Sequence, residues 1–292
     1  MELGSNFVGA GLKEYACHVS ARWIMNYAAS IGDSNPLYFD DERPEGIIAP
    51  PLFPVAITWP VIEGIADNIE SKEFPREIIL TQVHYTEHLR CHRPVKPGDN
   101  VTIKGTIAAI LPHKAGTHVL IRFDALDAGG KPVFTEHIGA MMRGVRCSDS
   151  GKGSEHVPEV PRQPDSPIVL WESISAIDPL ASFIYDGCSN IHFPIHTSVK
   201  FARQVGLPGI IHQGTATLAV AVRDILKKES GGDSTKMESV YCRFTGMVLP
   251  GSDIRIRLVG KKPAPGGADL FFTVLNSEEK RAISDGCIRL KD

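Results

Sequence analysis

The sequence lacks an excess of charge of either sign and has no long hydrophobic run. Its 292 residues carry 31 Lys and Arg against 34 Asp and Glu, a formal net charge of -3. This balance leaves no basic stripe for the phosphates of a nucleic acid. No segment approaches the roughly 18 apolar residues of a membrane span, and the N-terminus lacks the basic and apolar regions of a secretory signal. We therefore expect a cytoplasmic globular protein that binds no nucleic acid and has no membrane span.

Metal-binding and disulfide motifs are also missing. The chain has six cysteines, and no two of them form a Cys-x-x-Cys pair. In a cytosolic chain this pattern indicates reduced thiols rather than a zinc site or a disulfide framework. His84, His88 and His92 recur every four residues, which would suit a metal only if they lay on a helix. The surrounding residues predict a strand, where the three imidazoles are too far apart, so we expect no metal ion.

What the chain does contain is an internal repeat. Two long segments of the first half recur in the second half, and both templates carry tyrosine first, proline at +9 and an aliphatic residue at +10. The matching segments are residues 27–38 and 185–196, followed by residues 46–51 and 209–214. A repeat of this length indicates a duplicated domain. The copies differ in their chemistry, because the first offers an acid, Asp33, and the second a base, His196.

Hydrophobic periodicity predicts the same order of elements in both halves. Each half has a capped helix, the template loop, a long apolar helix, at 51–71 and 213–229, and then an antiparallel meander. The predicted strands are 78–93, 100–111, 118–126 and 132–143 in the first half, and 237–244, 253–260, 270–276 and 282–290 in the second. This order predicts an α+β fold with two domains, in which each long helix is wrapped by an antiparallel sheet.

A polar segment separates the two halves. Residues 147–166 are rich in proline, serine and glycine, a composition typical of a linker that is either disordered or extended along the surface. The predicted division is therefore an N-terminal domain over 1–146, the linker over 147–166, and a C-terminal domain over 167–292.

These motifs resemble those of the MaoC-like hydratases and dehydratases. The shared pattern is Tyr-x5-Asp-x-Asn-Pro-(Ile/Leu)-His, then a glycine-rich segment that opens a long helix, then a strand that ends in Pro-x-x-Pro-Gly-Asp. The first half supplies it in residues 32–38 and 92–99, and the second in residues 194–196 and 201–214. The resemblance covers about residues 15–145 and 168–292 and implies a double hot-dog fold, with two fused domains that mimic a dimer of single domains.

The resemblance also implies a reaction. The family adds water reversibly to a 2-enoyl thioester carried on coenzyme A or acyl carrier protein, a hydro-lyase reaction of fatty acid metabolism that needs no metal or redox cofactor. An acid and a base carry the two protons, and backbone N–H groups at a helix start stabilise the thioester oxyanion. By position, Gly214 matches the oxyanion glycine of the family, with Gln213 beside it.

Neither half carries the whole family pattern. The second template has Ile191 and Phe193 where the family has aspartate and asparagine, and the first has Tyr38 where the family has histidine. Pro50 and Pro51 also remove an N–H group that an oxyanion site would use. Three arrangements stay open: a site around His196 assisted by His192, Asn190, Ser189 or Asp186; an Asp33–His196 pair across the domains; or acyl-thioester binding without catalysis.

We favour a site centred on His196, with His192 or Asp33 as its catalytic partner and Gly214, Gln213, Ser189 and Asn190 around the substrate. The remaining alternatives are a non-catalytic acyl-CoA-binding subunit and a hot-dog thioesterase. The expected partner is an acyl-CoA or an acyl-carrier thioester, and the chain is a candidate homodimer. The candidates for the coenzyme A phosphates are Arg90, Arg93, Lys96, Lys104, Arg243, Lys261 and Lys262.

Overall fold

The computed structural model describes residues 1–165 and 167–292, with every side chain in these ranges except that of residue 80. The first half consists of β1 (Glu2–Leu3), β2 (Gly11–His18), α1 (Ala21–Ser30), α2 (Pro54–Glu63), α3 (Ile65–Asn68), β3 (Gln82–Cys91), β4 (Asn100–His113), β5 (Gly116–Asp127), β6 (Pro132–Arg143) and β7 (Arg146–Cys147). The second half consists of β8 (Trp171–Ala176), α4 (Ala181–Ser189), α5 (Val199–Gln204), α6 (Gly214–Glu229), β9 (Met237–Phe244), β10 (Asp253–Ala264), β11 (Gly267–Leu275) and β12 (Arg281–Lys291).

The strands of the two halves form one continuous sheet. Its order is β2-β4-β5-β6-β3-β9-β12-β11-β10-β8, so the second half repeats the order of the first in reverse. The halves join where β3 and β9 pair antiparallel, from Thr86 opposite Arg243 to Arg90 opposite Ser239. The predicted α+β double hot-dog fold is therefore confirmed, and the two sheets meet edge to edge.

The long helices are buried because their apolar residues face the sheet. α6 runs as predicted, and its residues from Thr215 to Val222 are all buried. The first long helix is shorter than predicted: α2 ends at Glu63 and α3 resumes after Gly64, so the predicted helix over 51–71 was too long at both ends. Gly64 interrupts the helix because glycine is a poor helix former.

The repeated templates meet at the centre of the fold. The first tyrosines of both templates, Tyr27 on α1 and Tyr185 on α4, are fully buried, and their hydroxyl groups lie 3.4 Å apart. Each template then forms a short 3-10 turn at its proline, at Pro36–Tyr38 and Pro194–His196. The sequence repeat is therefore also a structural repeat, so position-by-position comparison of the two halves is valid.

The polar linker lies along the sheet and contains a 3-10 turn, at Ser154–His156. Lys152 exchanges two backbone hydrogen bonds with Ile110 of β4. Further along, Val160 packs on a small apolar cluster that contains Phe271, and the side chain of Gln163 donates to the carbonyl of Phe272 on β11. The composition allowed either a disordered linker or one that runs along the surface, and the linker residues that the structure describes run along the surface. Ser166 lies outside the described residues.

A pair of acidic side chains lies inside the junction of the halves. Glu87 on β3 and Glu136 on β6 are 0% exposed and are diagonal neighbours on one face of the sheet. The Nε2 atom of His84 lies 3.2 Å from a carboxyl oxygen of Glu87. Burial raises the pKa of Glu87 to about 8 and raises that of Glu136 further above its ordinary value. Burial therefore favours the protonated form of both carboxyl groups.

Within the described ranges, no helix combines the length and the apolar character that a membrane crossing requires.

Candidate active site

His196 is held in one orientation by the backbone. It lies in the 3-10 turn of the second template, and its Nδ1 atom is 2.8 Å from the carbonyl oxygen of Ile211. Because a carbonyl can only accept, Nδ1 carries the proton and Nε2 has a free lone pair. Burial lowers the pKa of His196, so the imidazole is neutral at pH 7. Nε2 makes no hydrogen bond to any residue that the structure describes, so it is available as a base.

A carboxylate lies beside the same loop, but not at the position where the family has one. Ile191, at the aspartate position of the template, is 2% exposed and belongs to the core. Asp186, in the last turns of α4, instead accepts a hydrogen bond from Nδ1 of His192 at 2.8 Å. Its charge also acts on His196, whose pKa it raises in opposition to burial. The second half thus contains an acid and two oriented histidines within eleven residues of sequence.

Two of the predicted site residues have a structural role at the end of α4. Ser189 is buried, and its hydroxyl donates to the carbonyl of Tyr185 and accepts from the N–H of Ile191. Asn190 follows it in the left-handed conformation, with φ of 61°, and ends the helix. Ser189 therefore shapes the loop that carries His192 and His196, and its hydroxyl is already used.

The start of α6 provides unpaired backbone donors. The first intrahelical bond runs from the N–H of Thr217 to the carbonyl of Gln213, so the three preceding N–H groups have no partner in the helix. At Gly214, an added Cβ would lie 3.1 Å from the ring of Phe244, so this position has little room for a side chain. Ile211 holds His196 only three residues earlier, so its carbonyl lies within about 11 Å of the helix start.

The side chain of Gln213 fastens this helix start to α4. Its Nε2 atom donates to the carbonyl of Ser182 at 2.9 Å. The hydroxyl of Ser182 in turn lies 3.3 Å from Nδ1 of His212, whose pKa burial lowers to about 4. Gln213, Ser182 and His212 thus position the segment next to His196. His212 was not among the predicted site residues, although it lies in the matched segment 209–214.

Asp33 does not lie beside His196. It lines a cleft between the first template, Pro50–Leu52 and the later turns of α6, near Arg223 and Lys227. His196 is anchored just before Gly214. Since α6 rises about 1.5 Å per residue, Gly214 and Arg223 are about 13 Å apart along its axis. The structure therefore brings His192 and His196 to one loop and does not favour a water shared by Asp33 and His196.

Most of the proposed phosphate ligands are already engaged by acidic side chains. Five of the seven form ion pairs, namely Arg90 with Glu238, Arg93 with Asp99, Lys104 with Glu14, Arg243 with Asp285 and Lys261 with Glu229. By contrast, Lys200 and Arg203 are exposed on α5, which follows the His196 turn, and no acid of the described residues lies within 4.0 Å of them. The sequence analysis did not name these two, because only the fold shows which cations are unpaired.

Together, the continuous ten-stranded sheet and the two sheet-covered helices define a double hot-dog protein. A crystal structure of a MaoC-like dehydratase from Phytophthora capsici shares this fold, with a TM-score of 0.80 and 21% sequence identity over 97% of this chain and 96% of that chain. At this level of identity the likeness defines the fold.

Two family models match the sequence. The MaoC like domain matches residues 165–278, and the FAS1-like dehydratase domain region matches residues 6–136. The second half therefore carries a MaoC like domain, and most of the first half matches a dehydratase domain region.

Relatives with assigned names extend over most of the chain. The 3-hydroxyacyl-thioester dehydratase Y of Mycobacterium tuberculosis is 24% identical over 99% of this chain and 98% of its own length. The peroxisomal multifunctional enzyme type 2 of Drosophila melanogaster is 23% identical over 97% of this chain, which spans only 47% of that enzyme. A fatty acid synthase subunit beta of Aspergillus oryzae is 40% identical over 82 residues, and the chain spans 4% of its length.

Proposed function

We propose that the protein is a hydro-lyase that interconverts a 2-enoyl thioester and a 3-hydroxyacyl thioester. The observation that carries this proposal is the state of His196, a neutral imidazole with a fixed tautomer and a free Nε2 atom. The carbonyl group that orients it belongs to Ile211, three residues before the start of α6. Relatives named 3-hydroxyacyl-thioester dehydratase and probable enoyl-CoA hydratase 2 support the same reaction class.

In the hydration direction, His196 acts as the base. Its Nε2 atom takes a proton from a water molecule while the water oxygen bonds to C3 of the substrate. The electron pair of the C2–C3 double bond moves towards C1, and negative charge develops on the thioester oxygen. The unpaired N–H groups at Gly214 and the next residue stabilise this charge, because the helix start also presents the positive end of the helix dipole.

The second proton goes to C2. We assign it to the protonated form of His192: its Nδ1–H donates to Asp186, its Nε2–H gives its proton to C2, and the half-exposed ring is protonated again from solvent, which also takes up the proton held by His196. Asp186 thereby replaces the missing template aspartate by orienting a histidine and balancing its charge instead of contacting the substrate. Dehydration follows the same steps in reverse. Neither proton transfer requires a metal or a redox cofactor.

The carrier of the acyl group is proposed to be coenzyme A. Lys200 and Arg203 lie three residues apart on α5, on one side of the helix and close to the His196 turn. Two exposed cations without acidic partners suit the phosphates of a nucleotide. A protein carrier with an acidic surface is the alternative for the same two side chains.

Incubation of the purified protein with crotonyl-CoA tests the reaction class. Loss of the enoyl absorbance together with formation of 3-hydroxybutyryl-CoA is the expected result. Release of free coenzyme A without hydration would identify a thioesterase, and saturable binding without either reaction would identify an acyl-binding subunit. An Asp186→Asn variant should lower kcat much more than it raises KM, because it leaves the substrate contacts in place. A control in the same helix is Cys188→Ser, which should leave both parameters unchanged.

A further inference from the structure

The first template borders a cleft that the reaction at His196 does not use. This cleft has a volume of about 460 Å³ and lies between the first template, Pro50–Leu52 and α6. The volume falls within the roughly 300–1,000 Å³ of small-molecule sites. Apolar side chains from both halves line it, with Pro36, Tyr38, Ala219, Val222 and Leu226 among them. Polar side chains line the rest of the cleft, namely Asp33, Ser34, Asn35, Arg223, Asp224 and Lys227, so an alkyl chain fits along its apolar wall.

Asp33 is the polar group of this cleft with an unused acceptor. One carboxyl oxygen accepts the N–H of Asn35 at 3.1 Å, and no described residue donates to the other oxygen. Burial raises the pKa of Asp33, which Arg223 and Lys227 oppose. Three neighbouring polar side chains are already engaged: Asn35 donates to the carbonyl of Gly232, Arg223 donates to the carbonyls of Ile31 and Gly32, and Asp224 accepts from Ser173 and Ser175. A ligand in this cleft therefore meets the free acceptor of Asp33, with the exposed side chains of Ser34 and Lys227 nearby and an apolar wall beside it.

The repeat shows what this cleft corresponds to and what it cannot do. Its position in the first half matches that of the His196 site in the second half. Tyr38 stands at the histidine position, and its hydroxyl is buried. Pro51 matches Gly214, and proline has no N–H group to stabilise an oxyanion. The cleft therefore retains the shape of a thioester site and the template aspartate, but lacks both the base and the oxyanion donors.

We propose that this cleft is a second, non-catalytic binding site that holds a 3-hydroxyacyl thioester, with the alkyl chain between the halves and the 3-hydroxyl group donating to Asp33. The ligand class rests on the proposed function, since it is the hydrated partner of that reaction. A hydroxyl group is the donor that distinguishes this ligand from the enoyl thioester, which has none at C3. The second site therefore binds the product of hydration in preference to its substrate.

Equilibrium dialysis of 3-hydroxybutyryl-CoA measures the number of sites. The His196→Gln variant is used so that the ligand is not dehydrated, and two sites per chain are expected. Adding Ser34→Trp, an exposed residue at the cleft, should reduce the number to one. A matched control is Glu42→Trp, which is exposed on the same segment outside the cleft and should leave two sites. Circular dichroism confirms that each variant is folded.

The role of Asp33 is tested by comparing how tightly the cleft binds a ligand with a 3-hydroxyl group and one without it. With Asp33→Ala, the cleft should lose about tenfold of its preference for 3-hydroxybutyryl-CoA over butyryl-CoA, as expected for one hydrogen bond to a carboxylate. A single site in His196→Gln with Ser34 unchanged, or two sites that persist after Ser34→Trp is added, overturns the proposal. So does one site that Ser34→Trp merely weakens, since the cleft would then belong to the catalytic site. Failure of the proposed function appears separately, as absence of crotonyl-CoA hydration by the wild type.

Discussion

Replacing Glu87 by glutamine should make the protein more stable in mild alkali. In the folded protein this carboxyl group keeps its proton up to a pKa of about 8, whereas its ordinary pKa is 4.5. Between these values the folded state binds more protons than the unfolded state, so the free energy of unfolding falls as the pH rises. Glutamine has the shape of the protonated carboxyl group and no proton to lose, so the variant should not show this loss.

The magnitude follows from the displacement of the pKa. One pKa unit is equivalent to about 1.4 kcal/mol. A rise from 4.5 to about 8 therefore removes about 5 kcal/mol of stability from the wild type once the pH exceeds 8. The two proteins should have similar stability near pH 5, and Glu87→Gln should be the more stable by several kcal/mol at pH 8.5, a large part of the roughly 5–15 kcal/mol total of a typical domain.

Urea unfolding followed by the fluorescence of the three tryptophans provides the assay. The free energy of unfolding is measured at half-unit steps from pH 5 to pH 9 for the wild type, for Glu87→Gln and for Glu73→Gln, an exposed control. Glu136 remains in all three proteins, and because Glu87 contributes to its raised pKa, the difference between the first two curves reports on the coupled pair. Curves that stay parallel over this range, or a variant that is weaker at every pH, would refute the assignment of a buried proton to this carboxyl group.

Two further substitutions probe the contacts between the halves and the start of α6. Gly214→Ala introduces a methyl group 3.1 Å from the ring of Phe244 and displaces the N–H donors at the start of α6. The kcat for hydration of crotonyl-CoA should therefore fall at least tenfold, and an unchanged kcat would show that these donors do not take part in the reaction. Arg223→Met removes the side chain that binds the loop after α1 and should lower the free energy of unfolding by about 2 kcal/mol. Lys227→Met changes an exposed neighbour and should have little effect on the free energy of unfolding, so equal losses in the two variants would contradict the role of Arg223.

The fold could be predicted from the sequence because its main elements have strong local patterns. The central strands of both meanders are largely buried runs bounded by turn residues, and α6 is a long apolar helix that begins after Gln213. The edge strands β2 and β8 were not predicted. Each pairs with only one neighbour and is mostly accessible to solvent, so its residues show no regular alternation of apolar and polar types.

The candidate site was less predictable, because its contacts depend on how distant segments meet. The template comparison located His196 and His192, since their types and positions are visible in the repeat. It could not decide among the helpers of His196, and only the turn at the end of α4 shows that Asp186 reaches His192. The cleft at Asp33 is formed by α6 from the other half of the chain, a contact with no local signal in the sequence.

The proton transfer assigned to His196 is the central step of the proposed reaction. The decisive measurement is kcat/KM for hydration of crotonyl-CoA by the wild type, by His196→Gln and by His156→Gln, an exposed histidine of the linker. Loss of a general base typically lowers the rate by about 10²- to 10⁴-fold. We predict a loss in this range for His196→Gln and an unchanged rate for His156→Gln. A His196→Gln enzyme that retains the rate of the wild type would contradict the assignment of catalysis to the second half.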